Sequence, residues 1–100
     1  MDKEALKKAM LQAQNMQLDL VKAQDELAKM SIEGISNDGK VKILMSAQGD
    51  FRKVEIDPST LIEGINCVEK DVLEALNSAT QRAAEITKAK LETISQQIGL

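Results

Sequence analysis

Residues 31–47 read Ser31-Ile32-Glu33-Gly34-Ile35-Ser36-Asn37-Asp38-Gly39-Lys40-Val41-Lys42-Ile43-Leu44-Met45-Ser46-Ala47, and the period of their apolar positions decides the architecture. Val41, Ile43, Met45 and Ala47 alternate with Lys42, Leu44, Ser46 and Gln48, the two-residue repeat of a strand with one buried face. Residues 31–35 form a shorter β-rich run. Between the two runs, Asn37, Asp38 and Gly39 tolerate the positive φ of a hairpin turn. A further turn at Gln48-Gly49-Asp50 leads into a third strand, Phe51 to Ile56. The expectation is a three-stranded antiparallel meander.

On the N-terminal side the period changes. From Leu6, the positions Ala9, Ala13, Met16, Leu20, Ala23, Leu27 and Met30 follow at alternating steps of three and four, a heptad seam flanked mostly by Lys, Gln, Asn, Asp and Glu. No Gly or Pro interrupts it, so one helix over about residues 2–30 is expected. Met10, Met16 and Met30 read as packing residues rather than a protein-binding groove. On the C-terminal side, residues 58–66 read as a connector containing Gly64. Asn66 with Glu69 three residues later has the form of a capping box, which starts a second helix over about residues 67–98. Its stripe is Val72, Leu76, Ala79, Ala83 and Ile86, drifting to Leu91, Ile94 and Ile98, with Gly99 closing the run.

Where the sheet meets the connector lies Val54-Glu55-Ile56-Asp57-Pro58, two carboxylates two residues apart. Alternation puts Lys53, Glu55 and Asp57 on one face and Arg52, Val54 and Ile56 on the other. A catalytic pair needs one carboxyl held protonated by burial beside another that stays ionised, and a row shared with Lys53 offers no such burial. Pro58 has no amide hydrogen to extend a ladder, so the segment reads as a strand end and the start of a turn.

Composition limits the function classes. The chain has 100 residues, enough for a single domain, and 43% are hydrophobic, with Phe51 the only aromatic residue. The core must therefore be aliphatic. The lone Cys67 can form no intrachain disulfide, so a reducing cytoplasm is expected; near a helix start it reads as a small packed residue rather than a reactive thiol. No apolar run approaches the roughly 20 residues of a membrane span, and no leader is apparent. Without histidine the commonest general base and metal ligand are both missing. No catalytic, metal or cofactor site is expected, and an enzyme is the least favoured class.

Helices of about 28 to 32 residues are roughly 42 to 48 Å long, whereas a compact chain of this size has a radius of gyration near 13 Å. At least one helix must overhang. Its apolar stripe is then covered either by an antiparallel helical hairpin within the chain or by a second copy, and a homodimer is the economical solution.

Several segments together carry a resemblance: Met10-Leu11-Gln12-Ala13-Gln14-Asn15-Met16-Gln17, Ile32-Glu33-Gly34, Gly39-Lys40-Val41-Lys42-Ile43, Lys53-Val54-Glu55-Ile56-Asp57-Pro58 with Leu61, and the later Leu73, Ala75, Leu76, Asn77, Ala79 and Ala83. In this order and spacing the chain resembles the YbaB/EbfC family of bacterial nucleoid-associated proteins over nearly its whole length. The resemblance implies an α+β fold with a long N-terminal helix, a three-stranded antiparallel meander and a long C-terminal helix, assembled as a tweezer-like homodimer. It also implies binding of double-stranded DNA with little or variable sequence preference, in the cytoplasmic nucleoid.

Charge sets the terms for such binding. The net charge is -3, and no third of the chain is basic: residues 1–30 carry five bases and five acids, residues 31–57 four and five, residues 58–100 four and six. Two local groups remain as DNA-binding candidates, Lys3, Lys7 and Lys8 on the first helix and Arg82, Lys88 and Lys90 on the second. Doubled in a dimer, they would touch mainly the phosphate backbone, with a shallow salt dependence. No aromatic residues interleave with them to stack single strands, and Gln12, Gln14 and Gln17 read as a solubilising face. The alternative is a protein-binding or chaperone-like adaptor with a protein client, since helix, hairpin, helix also resembles the prefoldin architecture and an acidic surface suits protein clients.

Overall fold

The computed structural model describes residues 2–97. In chain order it comprises helix α1 (Lys3–Lys29), strands β1 (Ile32–Ile35), β2 (Val41–Met45) and β3 (Phe51–Ile56), a short helix α2 (Pro58–Glu63) and a long helix α3 (Ile65–Gln97). The strands form an antiparallel meander in the order β1-β2-β3. The expected helix, sheet, helix arrangement is therefore the observed one.

The core lies between one face of the sheet and α3. Ile32, Val41, Ile43 and Met45 point onto Ala75, Ala79 and Ala83, with Leu27 and Ala47 closing one end. Alanines on the helix and a glycine on the strand let the two backbones approach closely. A Cβ on Gly34 would run into the Ala75 carbonyl oxygen and into the backbone nitrogen and Cβ of Ala79. Burial of each large aliphatic side chain here contributes about 1.5–3 kcal/mol.

The β1–β2 turn is built as its composition predicts. Gly39 adopts φ +76, and the Asp38 carboxylate accepts hydrogen bonds from the Ser36 hydroxyl at 2.7 Å and the Lys40 amide at 3.0 Å. These interactions hold the Asp38 carboxyl down to about 2.

Four sequence expectations need correction. The connector is a helix: Asp57 caps α2 by accepting from the Ser59 amide at 2.9 Å, and Pro58 occupies the first turn, where its missing amide hydrogen costs nothing. Second, α3 begins at Ile65, and its first amides, of Cys67 and Val68, bond to the Gly64 carbonyl, so Asn66 is inside the helix and is not a cap. Third, a bulge at Leu44/Met45 puts Phe51, not Arg52, opposite the buried Met45. The inner face of β3 is thus Phe51, Val54 and Ile56. Fourth, Met10, read as a packing residue, is exposed. As the expected overhang requires, only the second half of the α1 seam is covered within the chain, for Ala23 and Leu27 are buried while Leu6, Ala9 and Ala13 are exposed. Ile98 and Gly99 lie outside the described residues.

The molecule measures 72 × 19 × 14 Å, with a radius of gyration of 20.1 Å. It is a small body with a long arm. The arm consists of α1 antiparallel to the second half of α3, with Ile94 buried between the helices and Lys90 paired with Glu26. Its root is fixed to the β2–β3 turn, which satisfies carbonyls at the end of α1: the Ala47 amide donates to Leu27 at 3.1 Å, Gln48 to Gln24 at 2.8 Å, and the Arg52 guanidinium to Ala28.

Candidate nucleic-acid interface

The six candidate bases do not form one patch. Lys3, Lys7 and Lys8 are exposed at the outer end of α1. Lys90 sits against Glu26, roughly 28 Å along α1 from Lys7 at 1.5 Å per residue. Arg82 lies on the body, where its guanidinium donates to the Glu33 carbonyl of β1 at 3.2 Å. Lys88 is exposed and lines a groove of about 720 Å³ with Ala47, Ala83, Ala84, Thr87 and Leu91. Arg82 and Lys90 therefore have partners within the chain, Arg82 while remaining exposed, and Lys3, Lys7, Lys8 and Lys88 are also presented to solvent.

A second surface, which alternation alone assigned incorrectly, is the inner face of β3. α3 packs over β1 and β2 and leaves β3 uncovered, so every residue of β3 is exposed. Phe51 and Val54 are about half exposed, although their cross-strand partners Met45 and Ile43 are fully buried. Leu61, Ile62 and Ile65, around Gly64, are further exposed apolar residues in α2 and at the start of α3. The bulge that brings Phe51 onto this face arises from strand pairing, and the exposure of the face from the path of α3, neither of which is written in the local sequence.

The carboxylates have structural partners. Glu55 pairs with Lys53 at 2.9 Å, and Asp57 caps α2. Lys53 holds the Glu55 carboxyl below its ordinary range, and bonds from Ser59 do the same for Asp57. Neither retains the proton that a general acid needs. Asp71 differs: it is 4% exposed, and its Oδ2 has no hydrogen-bond partner. Burial and the adjacent Asp38 raise its carboxyl. Glu74, which accepts from the Asn37 amide and side chain at 3.3 and 2.9 Å, ties the β1–β2 turn to α3. Lys40 completes this corner through Glu63 at 2.5 Å. Among the described residues no cluster of His, Cys, Asp or Glu could hold a metal ion, and no helix is long and apolar enough to cross a membrane.

The YbaB/EbfC DNA-binding family matches residues 2–98. The chain belongs to this family. It is a family of DNA-binding, nucleoid-associated proteins. Among solved structures, the YbaB/EbfC chain described here is similar to the uncharacterized protein HP0035 from Helicobacter pylori. The two share 19% sequence identity over 94% of this chain and 97% of that one, with a TM-score of 0.76. At that identity the likeness establishes the fold. Helix, three-stranded meander and long helix are thus common to two quite different sequences.

Proposed function

We propose that this protein binds double-stranded DNA in the nucleoid as a homodimer, with two copies joined through the inner face of β3 and two arms reaching out to the duplex. The family assignment supports the DNA partner. The observation that carries the dimer is the half-exposed row of Phe51 and Val54 in a sheet whose other two strands bury their inner residues. An isologous contact there would bury both rows at once. Lys3, Lys7, Lys8 and Lys88 approach phosphates, and Arg82 and Lys90 add charge while keeping their structural partners. Because these contacts carry no base information, sequence preference is low.

The net charge of -3 makes binding weak and its salt dependence shallow. Four phosphate contacts per dimer, half of the eight such lysines that two copies present, would give a slope of roughly -3.6 in log K against log salt. Duplex binding by fluorescence anisotropy at low and near-physiological salt, with light scattering on the same sample, tests this. Saturable, salt-sensitive binding by a dimer, weakened by the double change Lys7→Glu/Lys8→Glu, is the expected result. A folded dimer that ignores duplex DNA at low salt would refute it.

A further inference from the structure

The heptad seam is not the only apolar stripe on α1. On its opposite side, Leu11, Leu18 and Val21 are 57%, 58% and 62% exposed, and Leu18 and Val21 line a shallow hollow with Gln14 and Gln17. Steps of seven and three keep these residues in one row along the helix. The contacts of α1 run through its other sides, to α3 and to the β2–β3 turn. At the two ends of the row lie exposed charges of opposite sign, Lys7 on one side and Asp25 on the other.

We infer that this row is an antiparallel docking surface for the same row on a second copy of the chain. The order of residues makes the row complementary to itself. When Gln14 of one helix faces Leu18 of the other, the same register sets Leu11 against Val21 and Lys7 against Asp25, twice each because the contact is isologous. A parallel arrangement would instead set Lys7 against Lys7 and Asp25 against Asp25. Charge at the ends of an otherwise apolar contact fixes orientation and register. Glu4 falls in the region of Lys29 at the margin, and Lys29 already pairs with Asp25 of its own helix at 3.0 Å.

The consequence rests on the sheet-face pairing proposed above. A chain with one self-complementary face closes as a pair, whereas two such faces link pairs into larger assemblies. Joined arm to arm, with Lys7 engaged by Asp25 of the second copy, dimers would bridge separate DNA segments through the remaining lysines, Lys3, Lys8 and Lys88.

Light scattering and sedimentation of the full chain over a range of concentrations test the inference. Assembly beyond the pair by about 1 mM, the weak end of specific association, is expected. The double change Leu18→Glu/Val21→Glu should leave the circular dichroism unchanged and weaken that assembly at least about tenfold. Lys7→Asp should weaken it too, and Lys7→Asp/Asp25→Lys should restore it. If Leu18→Glu/Val21→Glu leaves assembly unchanged, or if the charge exchange fails to restore it, the arm contact is overturned. Val54→Glu/Ile56→Glu separates this outcome from failure of the sheet-face pairing. If that variant still pairs while Leu18→Glu/Val21→Glu is monomeric, the sheet face is refuted and the arm contact stands as the pairing surface.

Discussion

β1 and β3 are the two edges of the same small sheet, and the chain treats them in opposite ways. Along β1, side chains of α3 engage outward-facing backbone groups: the Ser78 hydroxyl accepts from the Ile35 amide at 3.4 Å, and Arg82 donates to the Glu33 carbonyl. The inner residues of β1, Ile32 and Gly34, are buried under the same helix. β3 has neither protection, with no helix over its inner face and all six residues exposed. An unshielded edge is a liability that proteins ordinarily blunt. Where one edge is shielded and the other is left apolar and open, the open one reads as an interface.

The largest expected effect comes from separating the shielded edge from its helix. Gly34→Ala forces a methyl group into the α3 backbone, which should cost about 3 kcal/mol and lower Tm by more than 10 °C at roughly 4–8 °C per kcal/mol. Thermal unfolding followed by circular dichroism measures it. Next comes the open edge. Val54→Glu/Ile56→Glu places two carboxylates in the proposed contact and should convert a dimer to a monomer by light scattering while the secondary structure persists. The opposite pattern in the two variants, with Gly34→Ala dissociating a folded dimer and Val54→Glu/Ile56→Glu unfolding the monomer, would reverse the assignment of the two edges.

Smaller changes sharpen the contrast. Ser78→Ala removes the acceptor for the Ile35 amide and should cost about 1 kcal/mol in denaturant unfolding; an equally conservative Arg52→Lys, at the root of the arm, should cost less. The smallest effect is a pH dependence at the turn that α3 clamps. The Asp71 carboxyl is raised by burial and by Asp38, so its contribution is fully present below the ordinary aspartate range and is lost as pH rises through its raised value. Asp38, held down to about 2 chiefly by the Ser36 hydroxyl, has the opposite sign: its contribution is present above the ordinary range and lost as pH falls through about 2. Asp71→Asn should therefore remove the loss of Tm on the neutral side of a pH series and leave the acidic side intact. A profile that keeps its neutral-side loss in Asp71→Asn would show that another group is responsible.

Much of the fold was legible in local pattern. The switch from steps of three and four to steps of two at residue 31 located the helix-to-sheet boundary, and Asn37-Asp38-Gly39 located the hairpin. α2 was missed, since Asp57 before Pro58 is equally a cap followed by a first-turn proline and the start of a turn, and local chemistry does not distinguish the two. Asn66 fails as a cap because Gly64, at φ +107, ends α2 and its carbonyl also receives the first bonds of α3. The candidate bases were readable as charges but not as a site. Whether Arg82 faces DNA or the Glu33 carbonyl depends on where α3 crosses the sheet.

By itself the sequence determined the elements, their order and the seam along which α1 can pack, because helix and strand periods are set by neighbouring residues along the chain. Only the tertiary structure decided which edge of the sheet α3 covers, that Phe51 replaces Arg52 on the inner face, and which lysines are held in ion pairs. Those outcomes depend on register between strands and on the line of approach between Gly34 and the alanines of α3. The first is fixed by pairs six to fifteen positions apart and the second by contacts between residues about forty positions apart, and no local period carries information on either.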